Sequence, residues 1–287
     1  MGEVKIGVIG GSGIYQMDGL SSIEEVRPKT PFGEPSDSIV VGTLEGQRVA
    51  FLPRHGRGHR LMPSELPFRA NIFALKVLGV EHIISLSACG SLRQEMAPLD
   101  IVIPDQLIDR TKERASTFFG SGLVVHIGFA DPFCPELSQV LFAAATASGA
   151  KVHRGGTLVV MEGPAFSTKA ESNMHRQWGA DLIGMTALPE AKLAREAEIC
   201  YATVAMVTDY DVWHPDHDSV TVEMVVGNLL KNAETSKNIV RHAVKAISAQ
   251  RTCSCPHALR DAIITSRERI PDHVKRDLAP LVGKYVH

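Results

Sequence analysis

Short apolar runs rich in β-branched residues alternate with segments of helical periodicity along almost the whole chain, and this alternation leaves few folds open. Lys5 to Ile9 is a strand that ends in Gly10-Gly11-Ser12-Gly13. Ser38 to Leu44 and Arg48 to Leu52 flank Glu45-Gly46 and read as a hairpin. Phe68, Ile72, Leu75 and Leu78 share one helical face, which predicts a helix over Leu66 to Leu78. His82 to Leu86 is a strand entering Ser87-Ala88-Cys89-Gly90, and Leu99 to Ile103 is another. A helix over Glu136 to Ser148, with Gly149 as its cap, precedes a strand over Thr157 to Met161. Ala170 to Trp178 is helical, Leu182-Ile183 is a short strand, and Leu188 to Ala197 is a helix with Pro189 in its first turn. Cys200 to Val207 is an uncharged strand, and Val220 to Ser248 reads as one long helix. The expected fold is therefore a single α/β domain with a central mixed, largely parallel sheet flanked by helices. There is no internal repeat. Gln250 to Pro256 is the one compositional break, so residues 1–250 read as the domain and 251–287 as a helical tail. The tail is expected to pack on that domain or on a neighbouring subunit.

Composition removes several classes of function. The 287 residues suffice for a sizeable core, and 44% hydrophobic with 22% charged residues is globular usage. Thirty basic against 32 acidic side chains leave a charge of −2, with no basic excess for a nucleic-acid partner. No apolar run approaches the roughly 20 residues of a membrane span, and Met1 to Ile9 does not read as a signal peptide. A cytoplasmic enzyme is the expectation. The five cysteines, Cys89, Cys134, Cys200, Cys253 and Cys255, are too few for a disulfide scaffold. Cys253 and Cys255 are closer than the usual C-x-x-C spacing, and His55 and His59 lie far off in a glycine-rich loop. Reduced thiols and no metal site are expected.

Several turns after strands carry residues suited to chemistry. Gly10 to Gly13, with the Ser12 hydroxyl, suits an anion or simply a tight turn, and lacks the third glycine of a dinucleotide loop. Pro53 to Arg60 gathers three arginines and two histidines, suited to phosphate or to solvent. Ser87 to Ser91 again places small hydroxyl residues after a strand. Phe166 in Glu162 to Ser167 either stacks on a planar ring or packs in the core. Thr208-Asp209-Tyr210-Asp211 puts two carboxylates after the longest buried-looking strand, where they can meet an amino group, move a proton or cap a helix. His214, Asp216 and His217 look ligand-like but have no distant fourth partner, and read better as a loop.

Taken in order, GGSGIY (10–15), TPFGEPSD (30–37), PRHGRGHR (53–60), SACGSLR (87–93), DPFCP (131–135), EGPAFSTKAES (162–172), GMTALPEAKLARE (184–196) and TDYD (208–211) make a specific set. Over Val4 to Ser248 the chain resembles the trimeric branch of the purine nucleoside phosphorylases, and within it the 5′-methylthioadenosine phosphorylases. That resemblance implies a homotrimer with sites near subunit interfaces. It implies phosphorolysis of the nucleoside to adenine and a sugar 1-phosphate, with phosphate as co-substrate and no metal or organic cofactor. It places Ser12, Arg54, His55, Ser87, Ala88 and Thr186 at phosphate, Met185 at the ribose, and Phe166 and Ser167 at the base. Asp209 and Asp211 would read the purine, with Asp209 supplying or sharing a proton at N7. Val222, Val225 and Val226 would line a methylthio pocket, which His126 and a residue near Leu281 reach from the neighbouring subunit. Asp209 suits a 6-amino purine, since 6-oxopurine relatives carry Asn there. Gly184 points the other way, being common in 6-oxopurine relatives, and leaves a 6-oxopurine nucleoside or methylthioinosine phosphorylase as an alternative. A nucleosidase and a non-catalytic nucleoside-binding protein are the remaining alternatives. An anion site built from Arg54 and His55 argues against the first.

Overall fold

In the computed structural model, residues 3–11, 14, 16–215 and 220–286 are described. The chain begins with β1 (Ile6–Gly10), β2 (Ser21–Val26), β3 (Ile39–Leu44), β4 (Gln47–Pro53), α1 (Phe68–Val77), β5 (His82–Ser91), β6 (Ile101–Ile103) and β7 (Gln106–Arg110). It continues through α2 (Pro135–Ala147), β8 (Val152–Arg154), β9 (Thr157–Met161), α3 (Lys169–Gln177), β10 (Leu182–Gly184), α4 (Ala187–Glu196) and β11 (Cys200–Asp209). The helices α5 (Val222–Lys231), α6 (Ala233–Ala246), α7 (Asp272–Asp277) and α8 (Ala279–Val282) complete it.

All eleven strands join one mixed sheet. Its main path runs β2-β3-β4-β1-β5-β10-β9-β7, and β11 branches from β5 to carry β6 and β8. Side chains alternate across it as the period of a strand requires. Ile6, Val8, Ile84, Ala202 and Val204 face a core that α2 and α6 close with Leu137, Leu141, Val240 and Val244. Ile9, Ile83, Tyr201 and Ala205 face the opposite core, closed by Ile72, Phe73 and Leu75 of α1 and Leu193 of α4. The tail joins this second core through Leu259, Ile270, Val274, Leu281 and Val282. Glu198 anchors it further, accepting from the Leu259 backbone at 3.0 Å and the Tyr285 hydroxyl at 2.6 Å.

β5 is what positions the site. Its first eight residues lie beside β11 in parallel register, His82 opposite Cys200 and Cys89 opposite Val207. At its end β5 also pairs antiparallel with β10, Gly90 opposite Ile183 and Ser91 opposite Leu182. The register of β11 shifts between Val207 and Asp209, so that Asp209 comes to stand opposite Gly90. A bulge of this kind turns side chains out of the regular pleat, here at the carboxyl ends of the strands.

Three strands lie outside the sequence pattern. β2 and β7 are the two ends of the sheet path, and they carry exposed, charged residues in place of an apolar alternation. β8 is only three residues long. The long helix expected over Val220 to Ser248 is divided into α5 and α6 at Asn232, whose φ/ψ of −82°/−4° departs from helical values. α4 also starts irregularly. Leu188 is extended at φ −119°, ψ 139°, as a residue before proline tends to be.

Candidate active site

Asp209 ends β11 and is buried. Its Oδ2 accepts from the Thr208 hydroxyl at 2.7 Å, and its Oδ1 accepts from the Asp211 backbone N–H at 2.8 Å. Asp211 takes the left-handed conformation, φ 51°, which returns its carboxylate toward Asp209 and not along the strand direction. The Ser172 and Ser167 hydroxyls face Asp211, yet its buried Oδ2 makes no hydrogen bond of normal geometry among the described residues. Burial raises the pKa of both carboxyls, and Asp209 further raises that of Asp211. Two close, buried carboxyl groups cannot both ionise cheaply, so one is poised to keep a proton. Gly90 makes room for them: a Cβ there would lie 2.9 Å from Asp209 Oδ1 and 3.0 Å from Ile183 Cγ2.

The basic loop after β4 turns out to direct one arginine inward. Arg57 pairs with Glu25 at 2.8 Å, and Arg60 donates to the Ser36 carbonyl at 2.6 Å. The Arg54 backbone N–H donates to the Gly10 carbonyl at 2.9 Å, tying the ends of β4 and β1 together. Its side chain is buried and already engaged. Nε and Nη2 grip both oxygens of Glu190 at 2.9 and 3.0 Å, Nη2 also donates to the Ser85 hydroxyl at 2.7 Å, and Nη1 donates to the Leu86 carbonyl at 2.8 Å. These bonds use all but one N–H of the guanidinium. The bidentate partner is thus a protein carboxylate, and at most a single N–H remains for an anion.

His55 also differs from expectation. Its Nδ1 lies 2.8 Å from the Leu61 carbonyl, so Nδ1 carries the hydrogen, and its ring stacks on His59 at 4.2 Å. Burial pulls its pKa down to about 4. At neutral pH the ring is uncharged and Nε2 is an acceptor, so His55 offers no second donor but can take a hydrogen bond from a protonated phosphate oxygen. Ser87 on β5 and Thr186 before α4 do converge, their hydroxyls 3.0 Å apart with the Ala88 backbone next in line. Ser12 lies outside the described residues.

The opposite wall comes from the loop after β9. Ser167 is buried and Phe166 is 39% exposed at the loop surface, so Phe166 is not a core residue and remains open to a planar ligand. Arg114 holds this loop to β10. It pairs with Glu162 at 3.1 Å and donates to the carbonyls of Met185 and Leu188 at 2.6 and 2.8 Å. Gly163, at φ 68°, lies so close to Met185 that a Cβ there would approach its sulfur to 2.5 Å. Gly184 is less tightly confined, since a Cβ there would come to 3.3 Å from the Cys89 sulfur.

Other expected residues stand apart. Val222 and Val226 on α5 are 67% and 47% exposed, Val225 is half-buried and His126 is exposed, so the described residues of the single chain do not enclose these valines in a pocket. α5 is nevertheless held to the site strand, because Asn228 Nδ2 donates to the Thr208 carbonyl at 2.7 Å. Leu281 is buried in this chain's own core and cannot serve as a residue reaching outward. His214 Nε2 lies 2.7 Å from Gln94 Oε1, while Asp216 and His217 fall outside the described residues. Glu190 and Arg114 were not singled out from sequence. Each is one charge among many in a helix or loop, and only the fold reveals that it is buried.

The sequence matches the phosphorylase superfamily over residues 5–245. It is 61% identical to an S-methyl-5′-thioadenosine phosphorylase from Koribacter versatilis, covering 99% of this chain and 97% of that one. It is 62% identical to a protein of the same name from Chloroflexus aurantiacus, covering 99% of both. Among solved structures, a methylthioadenosine phosphorylase from an antarctic soil metagenomic library superposes with a TM-score of 0.94 at 51% identity, covering 98% of this chain and 99% of that one. A methylthioadenosine phosphorylase from Schistosoma mansoni in complex with adenine gives 0.83 at 35% identity, with 98% of each chain covered.

Proposed function

This chain belongs to the phosphorylase superfamily, and on that premise we propose that it cleaves S-methyl-5′-thioadenosine with phosphate to adenine and 5-methylthioribose 1-phosphate, a step of purine and methionine salvage. The observation that carries this reading is the buried pair Asp209 and Asp211 at the end of β11, with Asp211 facing the hydroxyl of Ser167 next to the exposed Phe166. A 6-amino purine offers a donor at position 6, which a carboxylate accepts, and its N7 needs a proton as it leaves. A phosphate oxygen bonds to C1′ while the C1′–N9 pair departs with the base. Asp209, its pKa raised by burial, gives or shares the proton that neutralises the leaving adenine. The phosphate dianion also offsets the positive charge that develops on the sugar. No metal or organic cofactor enters this chemistry.

Ser87, Thr186, the Ala88 backbone, Ser12 and the remaining Arg54 N–H hold the phosphate in line, with His55 accepting from its protonated oxygen. Met185 holds the ribose. Support for this set is the 3.0 Å approach of Ser87 and Thr186 and the bonds of Arg54 to Ser85 and Leu86, just before Ser87. Gly184 packs close to the Cys89 sulfur, which leaves little room for a side chain there. We further propose a cytoplasmic homotrimer, in which His126 of the partner subunit completes the methylthio pocket beside Val222, Val225 and Val226. The exposure of these valines in the single chain supports that arrangement. Residues 1–250 act as the catalytic domain and 251–287 as its tail.

The test is a product assay on pure protein with methylthioadenosine, methylthioinosine and inosine, each with and without phosphate. Phosphate-dependent adenine release with a stoichiometric sugar phosphate is the expected result. Base release without phosphate identifies a nucleosidase, hypoxanthine release in preference to adenine a 6-oxopurine enzyme, and binding without turnover a nucleoside-binding protein.

A further inference from the structure

Far from the carboxylates, the fold gathers four of the five cysteines at one point. Cys134 precedes α2, Cys200 opens β11, and Cys253 and Cys255 lie in the segment after α6. Their four sulfurs all lie within 4.8 Å of one another, with Cys200 and Cys253 3.4 Å apart. We propose that Cys134, Cys200, Cys253 and Cys255 form a tetrathiolate site for one zinc ion.

The argument is geometric. Zn–S bonds of about 2.3 Å in a tetrahedron separate the sulfurs by about 3.8 Å, inside the observed limit. Disulfide pairing needs only two sulfurs of each pair to approach, whereas mutual proximity of all four is what a single tetrahedral ion requires. Sulfurs this close enclose one ion and leave no space for an iron–sulfur cluster. Backbone donors face two of the sulfurs. The Leu137 backbone N–H in the first turn of α2 faces the Cys134 sulfur, and the Cys255 N–H faces that of Cys253. Three of the four cysteines are buried and Cys253 is half-buried, a closed setting suited to a structural and not a catalytic metal. Four Zn–S bonds form, four thiol protons pass to solvent, and no atom changes oxidation state.

The site would act on the tail and not on the chemistry. Nine residues of extended β11 separate Cys200 from Asp209, about 30 Å. A bound ion would join the start of β11 and the start of α2 to the segment that leads into the tail. A C-x-C pair alone gives no such signal. The two further ligands lie 53 and 119 residues upstream of Cys253, at Cys200 and Cys134.

The test begins with the whole protein, purified under anaerobic reducing conditions without a metal-affinity step. Elemental analysis should find about one zinc per chain. Four thiols should react with a thiol reagent only after a strong chelator has removed it. Reloading with Co2+ should produce the thiolate charge-transfer and intense visible bands of a tetrahedral cobalt tetrathiolate, absent from the Cys253→Ser/Cys255→Ser variant. These readings on the unaltered chain do not depend on whether the variant folds. Chelation should lower the melting temperature and leave turnover at 25 °C largely intact. Protein that arrives without metal and takes up neither Zn2+ nor Co2+ when reloaded overturns the proposal. So does anaerobic protein whose mass is two hydrogens lower for each disulfide among these cysteines.

Discussion

Removing the charge of Glu190 should unsettle both the fold and the phosphate site. Glu190 is 1% exposed and accepts four hydrogen bonds, two from Arg54, one from Ser85 at 2.8 Å and one from Tyr201 at 2.8 Å. In Glu190→Gln one oxygen stays an acceptor, while the new amide nitrogen faces donors and the Arg54 charge stays buried without a counterion. Breaking a buried pair from one side costs about 3–5 kcal/mol. Because one oxygen survives, about 3 kcal/mol is expected for Gln and the upper end of the range for Ala. Arg54 is bonded to Ser85 and Leu86, so its displacement also disturbs Ser87. Loss of one hydrogen bond to a charged group, about 1.5–3 kcal/mol, corresponds to a rise in the phosphate KM of about tenfold to a hundredfold. Urea unfolding at fixed protein concentration, with and without phosphate, reads the first effect, and initial rates at varied phosphate read the second. The apolar double variant Arg54→Met/Glu190→Leu should recover much of the stability but not the phosphate affinity. A loss below about 1 kcal/mol in Glu190→Gln, with an unchanged phosphate KM, would refute the role given to this pair.

Gly90→Ala drives a methyl group against Asp209 and Ile183, so kcat should fall at least about tenfold with a stability loss of about 1–3 kcal/mol, measured by steady-state rates and denaturation. Glu196 is buried, with a pKa raised by burial to about 7, and it accepts from Thr117 and the Phe118 backbone. The folded chain therefore holds this proton more tightly than the unfolded one. Stability should fall by about 3 kcal/mol as pH rises from 4.5 to 7, and Glu196→Gln should flatten that slope in unfolding curves taken across the range. His55 has the opposite sign, its folded pKa of about 4 lying below the unfolded 6.5. Discounted for the partial exposure of the ring, its contribution of about 2 kcal/mol should be intact above pH 6.5 and lost toward pH 4, and His55→Gln should remove that part of the acid sensitivity.

What was legible in the sequence is what local pattern controls. The apolar strands β1, β4, β5, β9 and β11 stand where the alternation of residues put them, but β5 runs on to Ser91 through residues expected to turn, and β11 runs on to Asp209. The exposed edge strands β2 and β7 do not follow that alternation, because an edge strand with a charged face carries no apolar signature. At the site, Asp209 was visible because it follows an apolar strand, whereas Ser87, inside β5, and Thr186, after β10, were brought together only by the family resemblance. The partner that occupies Arg54 was not visible. Glu190 lies 136 residues away, and nothing in an amphipathic-looking helix tells a buried glutamate from a solvated one. The same holds for His55, whose chemistry is set by a carbonyl six residues on and by burial. The cysteine cluster is the extreme case, since its ligands come from three separate segments of the fold.

The most direct measurement is the ratio of kcat/KM for methylthioadenosine to that for methylthioinosine, in the wild-type chain and in Asp209→Asn. A buried, protonated carboxyl group, whose carbonyl oxygen accepts from the 6-amino group and whose hydroxyl supplies the N7 proton, should favour the adenine nucleoside in the wild type. An amide at the same place can donate to a 6-oxo group and has no proton to give, so the ratio should fall at least about tenfold, the equivalent of one buried hydrogen bond. A ratio unchanged by the substitution would contradict the reading of Asp209 as the residue that both selects the base and helps it leave.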